Sequence, residues 1–170
     1  MYGMLHVYTG NGKGKTTSAI GLAIRAVGAG LKVYIGQFVK GMKYSELKVL
    51  NNIDNITIEQ YGLECFIRKE PDKKDIEAAR KGLATMEDIL SSGEYKLVIM
   101  DEANIATYYN LFSVDELLTV INGRADNVEV VVTGRKADKK LIEKADLVTK
   151  MEEIKHYYQK GIIARPGIEK

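Results

Sequence analysis

Gly10-Asn11-Gly12-Lys13-Gly14-Lys15-Thr16-Thr17 follows the apolar segment Met4-Leu5-His6-Val7-Tyr8. It precedes Ser18-Ala19-Ile20-Gly21-Leu22-Ala23-Ile24, whose apolar spacing is helical. Strand, glycine-rich turn, Lys-Thr and helix is the layout of a loop that cradles phosphates. The glycines let the backbone curl so that several N–H groups point at one anion. Lys15 is placed to reach the outer phosphates, and the Thr16 hydroxyl to ligate Mg²⁺. The full pattern puts a further glycine where Thr9 stands; here the first glycine is Gly10, one position closer, so the loop is a shortened variant.

Outward from this loop, apolar strands alternate with helical patterns. The first helix is expected from Thr16 to Ala29, and the second strand from Leu31 to Val39. A short helix is expected over Tyr44 to Asn51, and Ile56 to Tyr61 alternates as a third strand. Asp72 caps a long helix with the apolar face Ile76, Ala79, Leu83, Met86 and Leu90, which ends at Gly93. Leu97 to Met100 is a short continuous apolar run, as in a strand buried on both faces. Ser113 to Glu116 form a capping box for a helix with the stripe Val114, Leu117, Leu118 and Ile121. Val128 to Thr133, a short helix from Asp138 to Ala145 and a strand from Leu147 to Met151 complete the pattern. The expected fold is α/β: a mostly parallel sheet with helices on both faces, of the P-loop NTPase-like (RecA-like) kind. Ligands are expected at the C-terminal ends of its strands.

At 170 residues the chain is expected to be one domain, residues 1–170, without repeats or linkers. Hydrophobic content of 45 % and charged content of 28 % are globular values. A net charge of +2 gives no footprint for nucleic acid or an anionic membrane, and no run approaches membrane-spanning length. The single cysteine, Cys65, excludes an intramolecular disulfide and fits a reducing cytoplasm.

Chemistry-bearing residues gather at the strand ends. Asp101 and Glu102 follow the buried run and resemble a Walker B element on the strand beside the phosphate loop, able to serve Mg²⁺; the alternative is a pair of acids capping the next helix. Arg135, after Thr133-Gly134, either clamps phosphate or is a solvated loop arginine. Lys40, after Gln37, either reaches a phosphate or acidic group or is a solvated turn lysine. The tail, with Lys155-His156 and the run Gly161 to Glu169, reads as an ordered segment crossing the surface. With only His6 and His156 present, no Ser-His-Asp, Cys-His or zinc arrangement is readable.

The stretch Thr9 to Thr17, Gln37-Phe38-Val39-Lys40-Gly41, Val98 to Glu102, Val132 to Arg135, Ala145 to Val148, and Lys155-His156 with Gly161, Ala164 and Gly167-Ile168-Glu169 occur in this order. Together they resemble the ATP:corrinoid adenosyltransferases of cobalamin biosynthesis and salvage, over nearly the whole chain. The resemblance implies a homodimer that uses ATP and Mg²⁺. The corrinoid cobalt, reduced to Co(I) by an electron donor such as a flavoprotein, attacks C5′ of ATP, which lies reversed with its γ-end buried in the loop. Triphosphate leaves intact, and no side-chain base is needed.

Carried onto this chain, Gly10, Asn11, Gly12, Lys13, Gly14, Lys15, Thr16 and Thr17 hold the triphosphate, and Lys40 lies beside it. Thr16, Asp101 and Glu102 serve the metal; Lys15, Glu102 and Arg135 form the catalytic set. Leu63, Cys65 and Phe66 line the corrinoid pocket as apolar contacts. Members of the family have aromatic residues where Leu63 and Cys65 stand, and longer members carry an N-terminal extension that covers the corrinoid. The rival readings are a P-loop ATPase or kinase acting at the γ-phosphate, and a nucleotide-binding regulatory module.

Overall fold

In the computed structural model, which describes residues 2–42, 44–63 and 70–169, strands β1 (Leu5–Thr9), β2 (Val33–Phe38), β3 (Ile56–Tyr61), β4 (Leu97–Asp101), β5 (Glu129–Thr133) and β6 (Leu147–Lys150) form one sheet. Its order is β3-β2-β4-β5-β1-β6, and every neighbouring pair is parallel. Parallel pairing requires crossovers, and these are α1 (Lys15–Gly28), α2 (Leu47–Leu50), α3 (Lys73–Ser92), α4 (Ala103–Tyr108), α5 (Val114–Asn122) and α6 (Lys139–Lys144). The parallel α/β sheet anticipated from the alternating pattern is therefore the architecture found.

Side-chain alternation sorts the central strands into two cores. Val98, Met100, Val130 and Val132 face one side, where they pack with Met86 and Leu90 of α3 and Leu117 and Ile121 of α5. Leu97, Ile99 and Val131 face the other, against Ala19, Ala23 and Ala26 of α1. Alanines on that stripe let α1 lie close to the sheet, which fixes its first turn over the C-terminal strand edge. The capping box at Asp72 and Asp75 starts α3, and left-handed Gly93 ends it. The box at Ser113 and Glu116 starts α5 in the same way.

Several boundaries move. β2 stops at Phe38 because Val39 takes a left-handed conformation (φ 50°). The helix expected over Tyr44 to Asn51 shortens to Leu47–Leu50, and α4 had no strong sequence signal. The larger correction concerns neighbours: β4 is not beside β1, because β5 lies between them. Sequence order carries no information on that insertion. Residue pairing does: Val7 registers with Val132, and Val132 with Met100.

Two helical glycines have opposite consequences. Gly82 of α3 lies over Tyr61; a Cβ there would sit 2.4 Å from the Tyr61 Cγ. Gly21 of α1 is exposed with nothing within 4 Å of a Cβ. Gly82→Ala should destabilise the fold by about 1–3 kcal/mol through overpacking, in spite of better helix propensity. Gly21→Ala should stabilise it by about 1 kcal/mol. Urea unfolding midpoints that move in opposite directions for the two variants would bear this out; a shared direction would not.

Candidate active site

The phosphate loop is shaped from outside as much as from within. Thr9 closes β1 with its backbone oxygen accepting from Met151 N, and Gly12 N donates to Met151 O, each at 2.8 Å. The segment after β6 thus runs against the loop, so close that a Cβ on Gly10 would lie 2.2 Å from Met151 O. At the outer-glycine position, the Thr9 hydroxyl accepts from Ala137 N (3.4 Å) and does not enter the loop. Gly14 precedes α1 in a left-handed conformation (φ 115°) and offers no side-chain cap. The first N–H groups of α1 are consequently uncapped by any side chain, and the helix dipole adds to their pull on an anion.

Lys15 is buried, and its ammonium donates to Gly12 O at 2.6 Å, folded back on its own loop. Burial pulls its pKa below the usual lysine value, Glu102 acts in the other direction, and Arg135 adds to the lowering. An incoming polyanion would restore the charge-favouring environment that burial removed.

Asp101 is wholly buried, and its carboxylate gathers hydrogen bonds from four side chains. Thr133 Oγ1 (2.6 Å) and Thr16 Oγ1 (2.8 Å) donate to one oxygen. Lys40 Nζ (2.7 Å) and Gln37 Nε2 (3.2 Å) donate to the other. These donors come from the phosphate-loop helix, from β5 and from the end of β2, the strands on either side of β4. Burial opposes ionisation of Asp101, but the Lys40 charge and the hydroxyl donors outweigh it and hold the carboxyl below its usual range. Lys40 is shifted the other way: burial lowers its pKa, and Asp101 more than compensates, so it rises.

Lys40 is therefore neither a solvated turn lysine nor directed first at phosphate. Its ammonium lies between Asp101 and the Thr16 hydroxyl, 3.4 Å from the latter. Val39, β-branched and left-handed, bends the chain to bring it there. A Cβ on the following Gly41 would come within 2.5 Å of Leu63 backbone atoms, so Leu63 borders the same turn. Cys65 and Phe66 lie outside the described residues.

Glu102 also has a left-handed backbone (φ 59°), with its amide donating to Thr133 Oγ1 at 3.0 Å. Burial first, and the Asp101 charge second, raise its pKa; Lys40, Lys15 and Arg135 act against that rise. Asn104 of α4, unremarked in the sequence, is buried and donates to Gly134 O at 3.0 Å, supporting the turn that carries Arg135. Lys13 points elsewhere: its ammonium is bound by Tyr157 OH, Ile168 O and Glu169 Oε1 of the tail.

These groups border a cavity of about 930 Å³, large enough for a nucleotide, lined by the loop from Asn11 to Thr17, by Lys40, Glu102 and Arg135, by Tyr44 and Val49, and by Gly167 to Glu169. Among the described residues, no cluster of three or more His, Cys, Asp or Glu is placed to hold a metal by itself. The hard oxygen donors Thr16 and Asp101 fit Mg²⁺ in its usual phosphate-site mode, in which one or two protein oxygens are completed by phosphate and water. Of the residues singled out in the sequence, Lys15, Thr16, Glu102 and Arg135 line this cavity, while Asp101 lies buried behind it, reached through the Thr16 hydroxyl. Sequence reading gave no role to Gln37 or Thr133, although both end apolar runs at the height of Asp101.

The buried pair yields a stability test. Lys40→Met leaves Asp101 charged and uncompensated, and should cost about 3–5 kcal/mol. Adding Asp101→Asn should recover most of that loss, since no charge is then stranded. Because the folded carboxyl ionises below its usual range, the stabilisation from Asp101 is present at neutral pH and is lost as pH falls through the depressed value. Urea titrations from neutral to acid pH on the parent, both single variants and the double variant measure both effects; additive single-variant losses would mean that the pair is not coupled.

Residues 1–169 match the ATP:corrinoid adenosyltransferase BtuR/CobO/CobP family. The chain is similar to the corrinoid adenosyltransferase of Pseudomonas aeruginosa, at 37 % identity over 98 % of this chain and 83 % of that protein. It is similar to that of a Sinorhizobium species at 34 % identity, over 98 % and 80 %. The corrinoid adenosyltransferase of Escherichia coli strain K12 matches at 31 %, over 98 % and 85 %. With a phosphate loop, a buried Asp101 hub and a nucleotide-sized cavity at the strand edge, and with this match along its length, the chain belongs to the ATP:corrinoid adenosyltransferase family.

Proposed function

We propose that residues 1–170 act as one domain that transfers the 5′-deoxyadenosyl group of ATP to the reduced cobalt of a corrinoid. The observation that carries the reading, beside family membership, is the concentration of Lys15, Arg135 and uncapped helix amides around one nucleotide-sized cavity. These are groups that hold and neutralise a polyphosphate. In the transfer, the cobalt(I) electron pair forms the Co–C5′ bond, the C5′–O bond breaks, and its pair departs on triphosphate. The nucleophile comes with the corrinoid, so the site needs no activated side chain.

Lys15 swings from Gly12 O to the phosphates, and Arg135 neutralises charge that grows on the leaving oxygens. The loop amides fix the chain of phosphates so that C5′ faces outward; such orientation can contribute about 7–11 kcal/mol of barrier reduction. Thr16, Asp101 and Glu102 would hold Mg²⁺, which supplies charge neutralisation of the triphosphate. Leu63 is assigned to the corrin as an apolar contact; Cys65 and Phe66, given the same role from the sequence, lie outside the described residues. An external one-electron donor, such as a flavoprotein, reduces Co(II) beforehand. ATP, a low-potential donor and one unpaired cysteine fit the cytoplasm. A homodimer is supported by the apolar side chains left exposed on β6, Leu147 and Val148, and beyond it, Ile154.

Phosphorus NMR of a mixture with ATP, Mg²⁺ and chemically reduced cobalamin should show triphosphate one-for-one with light-sensitive adenosylcobalamin. ADP and phosphate without a cobalt–carbon product would replace this reading with a γ-phosphate hydrolase. Lys15→Ala should lower turnover roughly 100-fold or more while leaving the urea midpoint close to that of the parent. Near-normal adenosylation by that variant would remove the loop from the site. Glu102→Gln should shift the Mg²⁺ titration further than Arg135→Ala does, because the metal is the largest local charge; an unchanged titration would exclude Glu102 from metal binding.

A further inference from the structure

Residues 156–169 hold a second cluster that the transfer reaction does not use. A single 3-10 turn, Tyr157–Lys160, begins with His156 Nδ1 accepting from Tyr158 N at 3.0 Å. From Tyr158 to Ile168 every residue is exposed, so apolar burial contributes little to holding the segment down. What holds it is Glu169. One of its oxygens accepts from Arg165 N (2.8 Å) and Arg165 Nε (3.3 Å). The other accepts from Arg165 Nη2 (3.1 Å), from the Tyr157 hydroxyl and from Lys13 Nζ (3.1 Å). Its carboxylate is only 14 % exposed in consequence. The Arg165 guanidinium lies 4.8 Å from the Tyr157 ring centre, and the Lys13 ammonium 5.9 Å.

Lys13 belongs to the phosphate loop, yet its three donor directions are taken by tail oxygens: Glu169, Ile168 O at 2.9 Å and Tyr157 OH at 3.2 Å. Gly167, Ile168 and Glu169 meanwhile line the nucleotide cavity together with Tyr44 and Val49. One carboxylate thus ties this chain segment to the loop that carries the phosphates, beside the bond from Lys13 to Ile168 O. Charge-assisted hydrogen bonds of this kind are about twice as strong as neutral ones, and five converge here.

We propose that Glu169 is a positioning residue for the nucleotide: through Lys13 it latches the tail from Tyr157 to Glu169 across the phosphate loop and so builds the outer wall of the ATP cavity. The inference rests on the reading of that cavity as the ATP site. The latch consumes no reactant, and it acts on binding more than on the chemical step. It also gives Lys13 a task different from direct phosphate contact.

The exchange and binding measurements use the full chain without corrinoid, with ATP and Mg²⁺ added for calorimetry, so that they are independent of adenosyl transfer. Glu169→Ala should speed amide hydrogen exchange in residues 157–169 by about tenfold or more in the nucleotide-free protein, with amides of β1 to β5 unchanged as the internal control of folding. By calorimetry its ATP Kd should rise about tenfold, the effect of losing one charge-assisted anchor. Lys13→Met should speed exchange over the same tail amides. In turnover, Glu169→Ala should raise the KM for ATP more than it lowers kcat, and Glu169→Asp should restore part of the loss. Tail exchange and ATP Kd that match the parent in Glu169→Ala would overturn the proposal, as would a tail whose exchange ignores Lys13→Met. A parent that fails to bind ATP would instead sink the reading of the cavity, while the nucleotide-free exchange still decides the latch.

Discussion

A carboxylate sealed from water at the end of β4 organises this molecule. Asp101 ionises in its buried position only because Lys40, Thr16, Thr133 and Gln37 all turn toward it. Those four side chains come from three separate elements, so satisfying one charge fixes the first turn of α1, the end of β5 and the turn after β2 relative to each other. A buried ion pair adds little net stability over an apolar pair of the same shape, but half of one is very costly. The arrangement therefore works as an all-or-none constraint on how the strand ends assemble. It leaves the Lys40 ammonium next to the same hydroxyl and carboxylate that suit a divalent cation.

Backbone strain collects around that hub. Val39 and Glu102 both adopt left-handed conformations, each at a cost of about 1–3 kcal/mol. One aims Lys40 inward, and the other ends β4 so that Glu102 faces the cavity while its amide rests on Thr133. The two apolar cores, built from alternate residues of the same strands, are what outweigh these local costs. Rigid strands in the middle and strained turns at their ends give side chains on loops the precision of side chains on a scaffold.

Much of this was legible before any coordinates. The Gly10 to Thr17 loop, the period-two and continuous apolar runs, and the caps at Asp72, Ser113 and Gly93 each act over a few residues, and each appears where local physics places it. The cavity residues Lys15, Thr16, Glu102 and Arg135, and Asp101 buried behind them, were readable because strand ends in a parallel sheet share one edge. Less legible were features set by partners distant in sequence. Lys40 could be read as solvent-exposed or phosphate-directed, since nothing near it in the chain announces Asp101. Thr133 and Gln37 looked like ordinary strand termini. Glycines 10 and 12 read as phosphate-loop glycines, yet they are also required by the passage of Met151 and Glu152.

By itself the sequence determined the fold class, the family and the glycine-rich turn that opens α1, because periodicity, turn chemistry and motif spacing are local quantities written in consecutive residues. Only the tertiary structure decided that β5 separates β4 from β1, that Lys40 neutralises a buried Asp101, and that Glu169 reaches back to Lys13 across the whole length of the chain. Strand order and charge pairing are settled by which groups can share a dry interior at the same time, a condition on all the elements together that no single segment expresses.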